Sequence, residues 1–306
     1  MIEKLTFFYM AICLCIIFFN IGINTYIKVQ PYILRKKQKC LQRLLNSPYQ
    51  DSYKVKLLKK LSQVSYLKVF HEMIGAYETW DIPQATLEEI MSNLAEVYRM
   101  KQMDEKAYFA YVMYAMNVSY NRVYHTDHIQ KLSRALKTFL KDESSIYVRE
   151  NTFKAIIAIG IEEDIIDVLQ IIQGDVLLNN QQFIQMSLSN FKGNQPKLAE
   201  GLYCHFESFI GPIQAAIIHY FRMRPKEQIH HELYQSGLVD LLYDKQEDEA
   251  VKLELVEYIH EYSYESISQK LMYMRNAEYG LKQGDFHIEG TVQQRRLEEL
   301  ENREVV

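Results

Sequence analysis

From residue 5 to residue 27 the chain carries no formal charge, and beyond residue 31 its apolar positions recur at steps of three and four. As a helix rising about 1.5 Å per residue, the first stretch reaches across the roughly 30 Å hydrocarbon layer of a bilayer. Pro31 predicts a break there, because it lacks an amide donor and disfavours helix at Gln30. Asn20 and Asn24, one turn apart near the end of the stretch, are positioned to face a partner helix or interfacial water. The helical period then predicts a helix over 32–46 with Ile33, Leu34, Cys40, Leu41, Leu44 and Leu45 apolar, followed by helices over 51–63, 64–80, 86–100, 105–118 and 126–141. Thr86 and Glu89 have the spacing of a capping box.

The plainest periodicity lies in residues 142–173. Val148, Thr152, Ala155, Ile156 and Ile159 keep a helical register, Gly160 interrupts it, and Ile165, Val168, Leu169 and Ile172 resume it. Gly160 can take the left-handed conformation that ends a helix, while Glu162, Glu163 and Asp164 set negative charge at the start of the next. Such a hairpin cannot bury its apolar faces alone and needs neighbours of the same build. Hairpins are predicted over 144–173, 179–206, 212–243 and 247–274. Their second helices are placed near Glu163, Pro196, Pro225 and Tyr264, at gaps of 33, 29 and 39 residues.

Composition narrows the class. With 48% hydrophobic residues, 6 Pro, 11 Gly and no runs of alternating β-branched residues, the 306-residue chain is expected to be all-α. The net charge of -4 hides an asymmetry: residues 28–60 carry +9, residues 1–27 zero, and residues 61–306 therefore -13. Lys28, Arg35, Lys36, Lys37 and Lys39 follow the apolar stretch closely, which predicts a single-pass cell-membrane protein with its bulk in the cytoplasm. Arg35, Lys36, Lys37 and Lys39 are candidate contacts for anionic headgroups, or alternatively serve to fix topology. Nucleic acid is not an expected partner, since the basic run lacks interleaved aromatics and the body is acidic. Cys13, Cys15, Cys40 and Cys204 offer neither a disulfide framework nor a zinc set.

The 142–173 stretch resembles a HEAT repeat of the bacterial type related to phycobilisome-lyase-like repeats. The matching residues are Val148, Arg149, Ala155, Ile156, Ile159 and Gly160, with Asp142 in the preceding turn; Ile161 replaces the usual Asp and Thr152 an Ala. The resemblance implies a right-handed α-solenoid of HEAT-like hairpins, in which Arg149 bonds turn acids or carbonyls, Asp142 being a candidate mate. Residues 94–115, with Leu94, Ala95, Tyr98, Lys106, Ala107, Tyr111 and Ala115, are similar to the inside of a tetratricopeptide repeat. Uneven gaps favour the first family over the second, whose period stays near 34. The expected organisation is a transmembrane anchor (1–28), a basic juxtamembrane helix (29–48), N-terminal helical repeats (49–141), HEAT-like repeats (142–283) and a charged tail (284–306).

No nucleophile elbow, phosphate loop, dinucleotide fingerprint or zincin motif occurs. His125 and His128 have metal-ligand spacing without further ligands, His230 and His231 read as surface residues, and adjacent Cys204 and His205 diverge on a helix. No catalytic residue, cofactor or metal is therefore expected. The functional expectation is a membrane-anchored scaffold for other, membrane-associated proteins, such as an accessory to an envelope or polysaccharide complex. The alternatives are a lyase or isomerase, as the resemblance implies, and an adaptor responsive to anionic lipid.

Overall fold

The computed structural model describes residues 2–46, 52–75, 80–119, 127–142, 145–244, 246 and 248–281. Among these the regular structure is entirely helical, with fourteen α-helices and short 3-10 turns. The chain forms two compact units, residues 1–100 and 101–306. The expected tail over 284–306 lies outside the described residues.

In the first unit, α1 (Ile2–Leu45) is followed by α2 (Tyr53–Leu61), α3 (Val64–Met73) and α4 (Gln84–Arg99). Every described side chain from Phe8 to Lys36 is exposed, and α1 is long and apolar enough to cross a membrane, with a best window of mean hydropathy 2.0. The break expected at Pro31 is not there: α1 runs through it unbroken. The missing amide frees the Ile27 carbonyl, but Ile27 lies on an exposed stretch of α1 where that carbonyl can find another partner. Leu41 and Leu45, fully buried where α1 packs on α2 and α3, hold the helix beyond the proline. The boundary expected between residues 28 and 29 thus falls inside one helix. Asn20 donates to the Ile16 carbonyl at 3.1 Å and Thr25 to that of Ile21 at 2.8 Å, so both polar groups are satisfied within their own helix.

The core of this unit gathers Leu57, Leu61, Leu67, Phe70, Leu94 and Tyr98, with the Tyr98 hydroxyl donating to the Leu61 carbonyl at 2.9 Å. The capping box at Thr86 is corrected. Pro83, with φ preset at -59°, occupies the N-cap and starts α4 at Gln84, while Glu89 pairs with Lys54 at 2.7 Å. Likewise α3 stops at Met73, and Trp80 folds back on Phe70 with ring centroids 5.3 Å apart.

The second unit holds α5 (Met103–Ser119), α6 (Asp127–Asp142), α7 (Ile146–Ile159), α8 (Glu162–Ile172), α9 (Gln181–Leu188), α10 (Gln195–Cys204), α11 (Gly211–Arg222), α12 (His231–Leu238), α13 (Glu249–Glu261) and α14 (Glu265–Leu281). Its packing alternates. Helix α7 touches α5 and α9, and α11 touches α9 and α13, so the odd helices form one layer; α6 packs on α8, α8 on α10, and α12 on α14 in the other. Helix α7, enclosed by α5, α6, α8 and α9, buries eight side chains from Val148 to Ile159 around most of its circumference. Gly160 caps it at φ 80° in the left-handed region. Asn180, Asn194 and Asp248 cap α9, α10 and α13 through the amides of Phe183, Lys197 and Ala250.

Pro225 does not start a helix. The Arg224 carbonyl, which would have accepted the first intrahelical bond, is taken instead by the Tyr262 hydroxyl at 2.6 Å and His231 Nε2 at 3.0 Å, and α12 begins at His231. The second helices α8, α10, α12 and α14 therefore start at 162, 195, 231 and 265, spaced 33, 36 and 34 residues. Uneven gaps no longer separate the two repeat families.

Candidate functional site

Beyond residue 27, α1 has two chemically distinct faces. Arg35, Lys36, Lys39 and Arg43 form a row with Tyr32 and Cys40 at steps of three and one along the exposed face. Lys37 lies on the other side, half-buried, with its ammonium 5.3 Å from the centre of the Tyr66 ring; Lys60 approaches the same ring at 4.8 Å. Between α1 and α3 is a crevice of about 620 Å³, lined from Tyr26 to Lys37 on one wall and from Val64 to Glu72 on the other. The four cations of the sequence set are thus divided between two surfaces.

In the second unit the hairpins are tied to one another by polar contacts at their turns and second helices. Gly193 lies so close to the turn before it that a Cβ there would stand 2.5 Å from the Gly160 carbonyl oxygen. Beside it the buried Glu162 accepts from the Asn194 amide at 2.9 Å and faces Lys197 at 3.6 Å, while Glu163 holds the same ammonium at 2.5 Å. Lys137 on α6 reaches Asp164 at 2.5 Å and Asp167 at 2.8 Å on α8. Burial alone would lower the Lys137 pKa, but its bonds to the two carboxylates outweigh that and hold it above the usual lysine value. Lys270 on α14 bonds Asp240 and the Ser236 carbonyl. The acids that the sequence assigns to a helix start thus also bind the neighbouring hairpins.

Arg149 pairs with Asp175, in the turn that leaves α8, at 2.8 Å. The Asp142 side chain, its expected mate, lies outside the described residues. Val148, Ala155 and Ile159 are core residues of α7, and Gly160 is its cap.

A polar hub joins three helices of the odd layer. Glu254 on α13 accepts from Gln181 and Gln185 of α9 at 3.0 Å each, and meets His219 and Arg222 of α11 at 3.3 Å. Burial would raise the pKa of this carboxyl, yet the His219 and Arg222 groups and the Gln185 amide together hold it below the usual value. Nothing in the local pattern of α13 marks Glu254, because its partners lie 32 to 73 residues away.

His231 is also corrected. The turn over 225–230 points it inward, where it is 2% exposed and stacks on Tyr262 with ring centroids 3.9 Å apart. Its Nε2 donates to the Arg224 carbonyl, leaving Nδ1 to accept from the Tyr258 hydroxyl at 2.8 Å. Burial pushes its pKa down and that of Tyr258 far up. Both groups are neutral structural partners.

His125 lies outside the described residues, and His128 is half-exposed on α6. His205 Nδ1 turns back to the Gly201 carbonyl at 2.9 Å rather than toward Cys204. No cluster of three His, Cys, Asp or Glu side chains able to hold a metal occurs among the described residues. In comparisons with known proteins, no family model, curated protein or solved structure matches this chain.

Proposed function

We propose that this chain is a single-pass membrane protein whose body is a right-handed α-solenoid of HEAT-like hairpins, serving as a docking scaffold for membrane-associated proteins at the cytoplasmic face. The observation that carries the reading is the two-layer alternation of α5 through α14, in a chain whose leading helix exposes every described side chain of its apolar run. Stacked hairpins present an extended surface suited to docking other proteins. A membrane tether raises the local concentration of anything bound to that surface near the bilayer. The cations that follow the apolar run support a cytoplasmic position for the body.

The test is crosslinking of the full chain in native membranes, beside a form lacking residues 1–28. The full chain is expected to remain with membranes after alkaline washing and to crosslink reproducibly to membrane proteins, and the shortened form to lose both. A full chain released by alkaline washing, or one that stays with membranes yet crosslinks to no protein, overturns the proposal.

A further inference from the structure

We propose that the groove between α6 and α8 docks an acidic helix of a partner protein, with carboxylates two turns apart set against Arg134 and Lys141. The inference rests on the docking reading above and gives it a place and a chemistry. Arg134, Thr138 and Lys141 line one wall of this groove of about 460 Å³, at steps of four and three along α6; Gln170 and Ile171 on α8 line the other. Lys137 crosses the seam to Asp164 and Asp167 and is spent there. The side chains of Arg134, Lys141 and Lys131 are exposed and make no ion pair, hydrogen bond or ring contact among the described residues. Outside α6, every described lysine and arginine side chain of the second unit except Lys252 has such a partner. Three of these four unpartnered cations therefore share one face of one helix.

That strip runs against the rest of the body, since residues 61–306 carry -13. Lys131 with Arg134, and Lys137 with Lys141, are like charges three and four residues apart, which repel along a helix. Carboxylates laid between them relieve that repulsion. Counting Asp164 and Asp167 against Lys131, Arg134, Lys137 and Lys141, the strip keeps two positive units. It lies far outside the flank of about 15 to 20 residues in which cations fix topology. The acidic remainder of the body repels an acidic segment elsewhere and so registers it here. From Lys131 to Lys141 the strip is about 15 Å long, too short for a nucleic acid strand, whose phosphates would run on over acidic surface. Arg134 and Lys141 are separated by about 10 Å of helix rise, the same two turns that separate residues i and i+7 of a partner helix. The partner's intervening residue at i+3 then faces Thr138 and the half-buried Ile171, which suits an apolar side chain.

The experiment uses the full chain in detergent, with a benzoylphenylalanine crosslinker in place of Gln170 on the groove wall or of Gln182, exposed on α9. The probe is a labelled peptide of Glu-Ala-Ala-Leu-Gln-Ala-Ala heptads, beside an analogue with Gln for each Glu. Light is expected to attach the acidic peptide at position 170 and not at 182, and the neutral analogue at neither. Arg134→Gln with Lys141→Gln should lower the adduct about tenfold, and Arg134→Lys with Lys141→Arg should retain most of it, which guards against a misfolded variant. Arg35→Gln with Lys39→Gln, on the basic row of α1, should leave it unchanged. Equal capture of the neutral analogue, loss in the Arg35 and Lys39 variant instead, or equal capture of a labelled oligouridylate overturns the proposal. No adduct at position 170 from a chain that still crosslinks to membrane proteins also overturns it and leaves the docking reading standing.

Discussion

Replacing Glu254 by alanine removes an acceptor on α13 that joins it to α9 and α11. The carboxylate is 14% exposed and receives four donors: two neutral amides at 3.0 Å, and the Arg222 and His219 groups at 3.3 Å. Each hydrogen bond to a charged acceptor is worth about 1.5 to 3 kcal/mol, but four bonds to one group do not add. Arg222 keeps Glu257 at 3.8 Å, and with 22% of its side chain exposed it regains some water, so the cost falls below the 3 to 5 kcal/mol typical of breaking a fully buried pair. We expect about 2 to 3 kcal/mol. That corresponds to about 30- to 150-fold faster hydrogen exchange for amides of α11 and α13 in the full chain. Amides of α5 and α6 should be unaffected, and Glu254→Gln, which keeps shape and one acceptor, should fall between. Acceleration below about threefold, or acceleration of equal size in α5 and α6, would refute the assignment of the hub.

The same group gives a pH dependence. Its folded pKa lies below the reference value of 4.5, so its contribution is full above that value and disappears as pH falls through the folded pKa. The stability gap between wild type and Glu254→Ala should therefore hold constant well above 4.5 and narrow as pH falls below it, as read by urea midpoints in detergent. Gly193→Ala forces a Cβ to 2.5 Å from the Gly160 carbonyl oxygen and is expected to destabilise the α7–α10 region by about 1 to 3 kcal/mol, visible as local exchange. Tyr258→Phe strips the donor from buried His231 and should cost about 1 to 2 kcal/mol; an unchanged melting temperature would count against the tautomer assigned here.

The helical class and most element positions were legible in the sequence because amphipathic periodicity is a local signal. Residues 142–173 show it best, since Gly160 punctuates two well-formed stripes and sits at φ 80° where only glycine is comfortable. What was not legible depended on partners far along the chain. Pro225 has a helix-opening residue type, yet Tyr262, 38 residues from Arg224, claims the carbonyl that the helix needed. The capping spacing at Thr86 was real, but Pro83 nucleated the helix earlier and Lys54 captured Glu89. His231 looked solvent-facing beside His230, because the turn that aims it inward leaves no periodic trace. Pro31 departs from its local pattern for the opposite reason: a local penalty of about 3 kcal/mol is overridden by the burial of Leu41 and Leu45 a few turns on.

Because α1 continues without interruption from its apolar run to Leu45, it acts as a spar of fixed length and phase. If α1 spans a bilayer as proposed, the 18 residues past Ile27 set a stand-off of about 27 Å along the helix axis between the hydrocarbon edge and the far end of the spar. Each residue inserted in that segment would lift α2 and α3 by about 1.5 Å and swing them by about 100° around the axis. Seven extra residues would restore the bearing almost completely while adding about 10 Å of height, whereas two would turn α2 and α3 to nearly the opposite side. In that membrane-spanning arrangement, height and heading above the bilayer are written in the residue count of one helix.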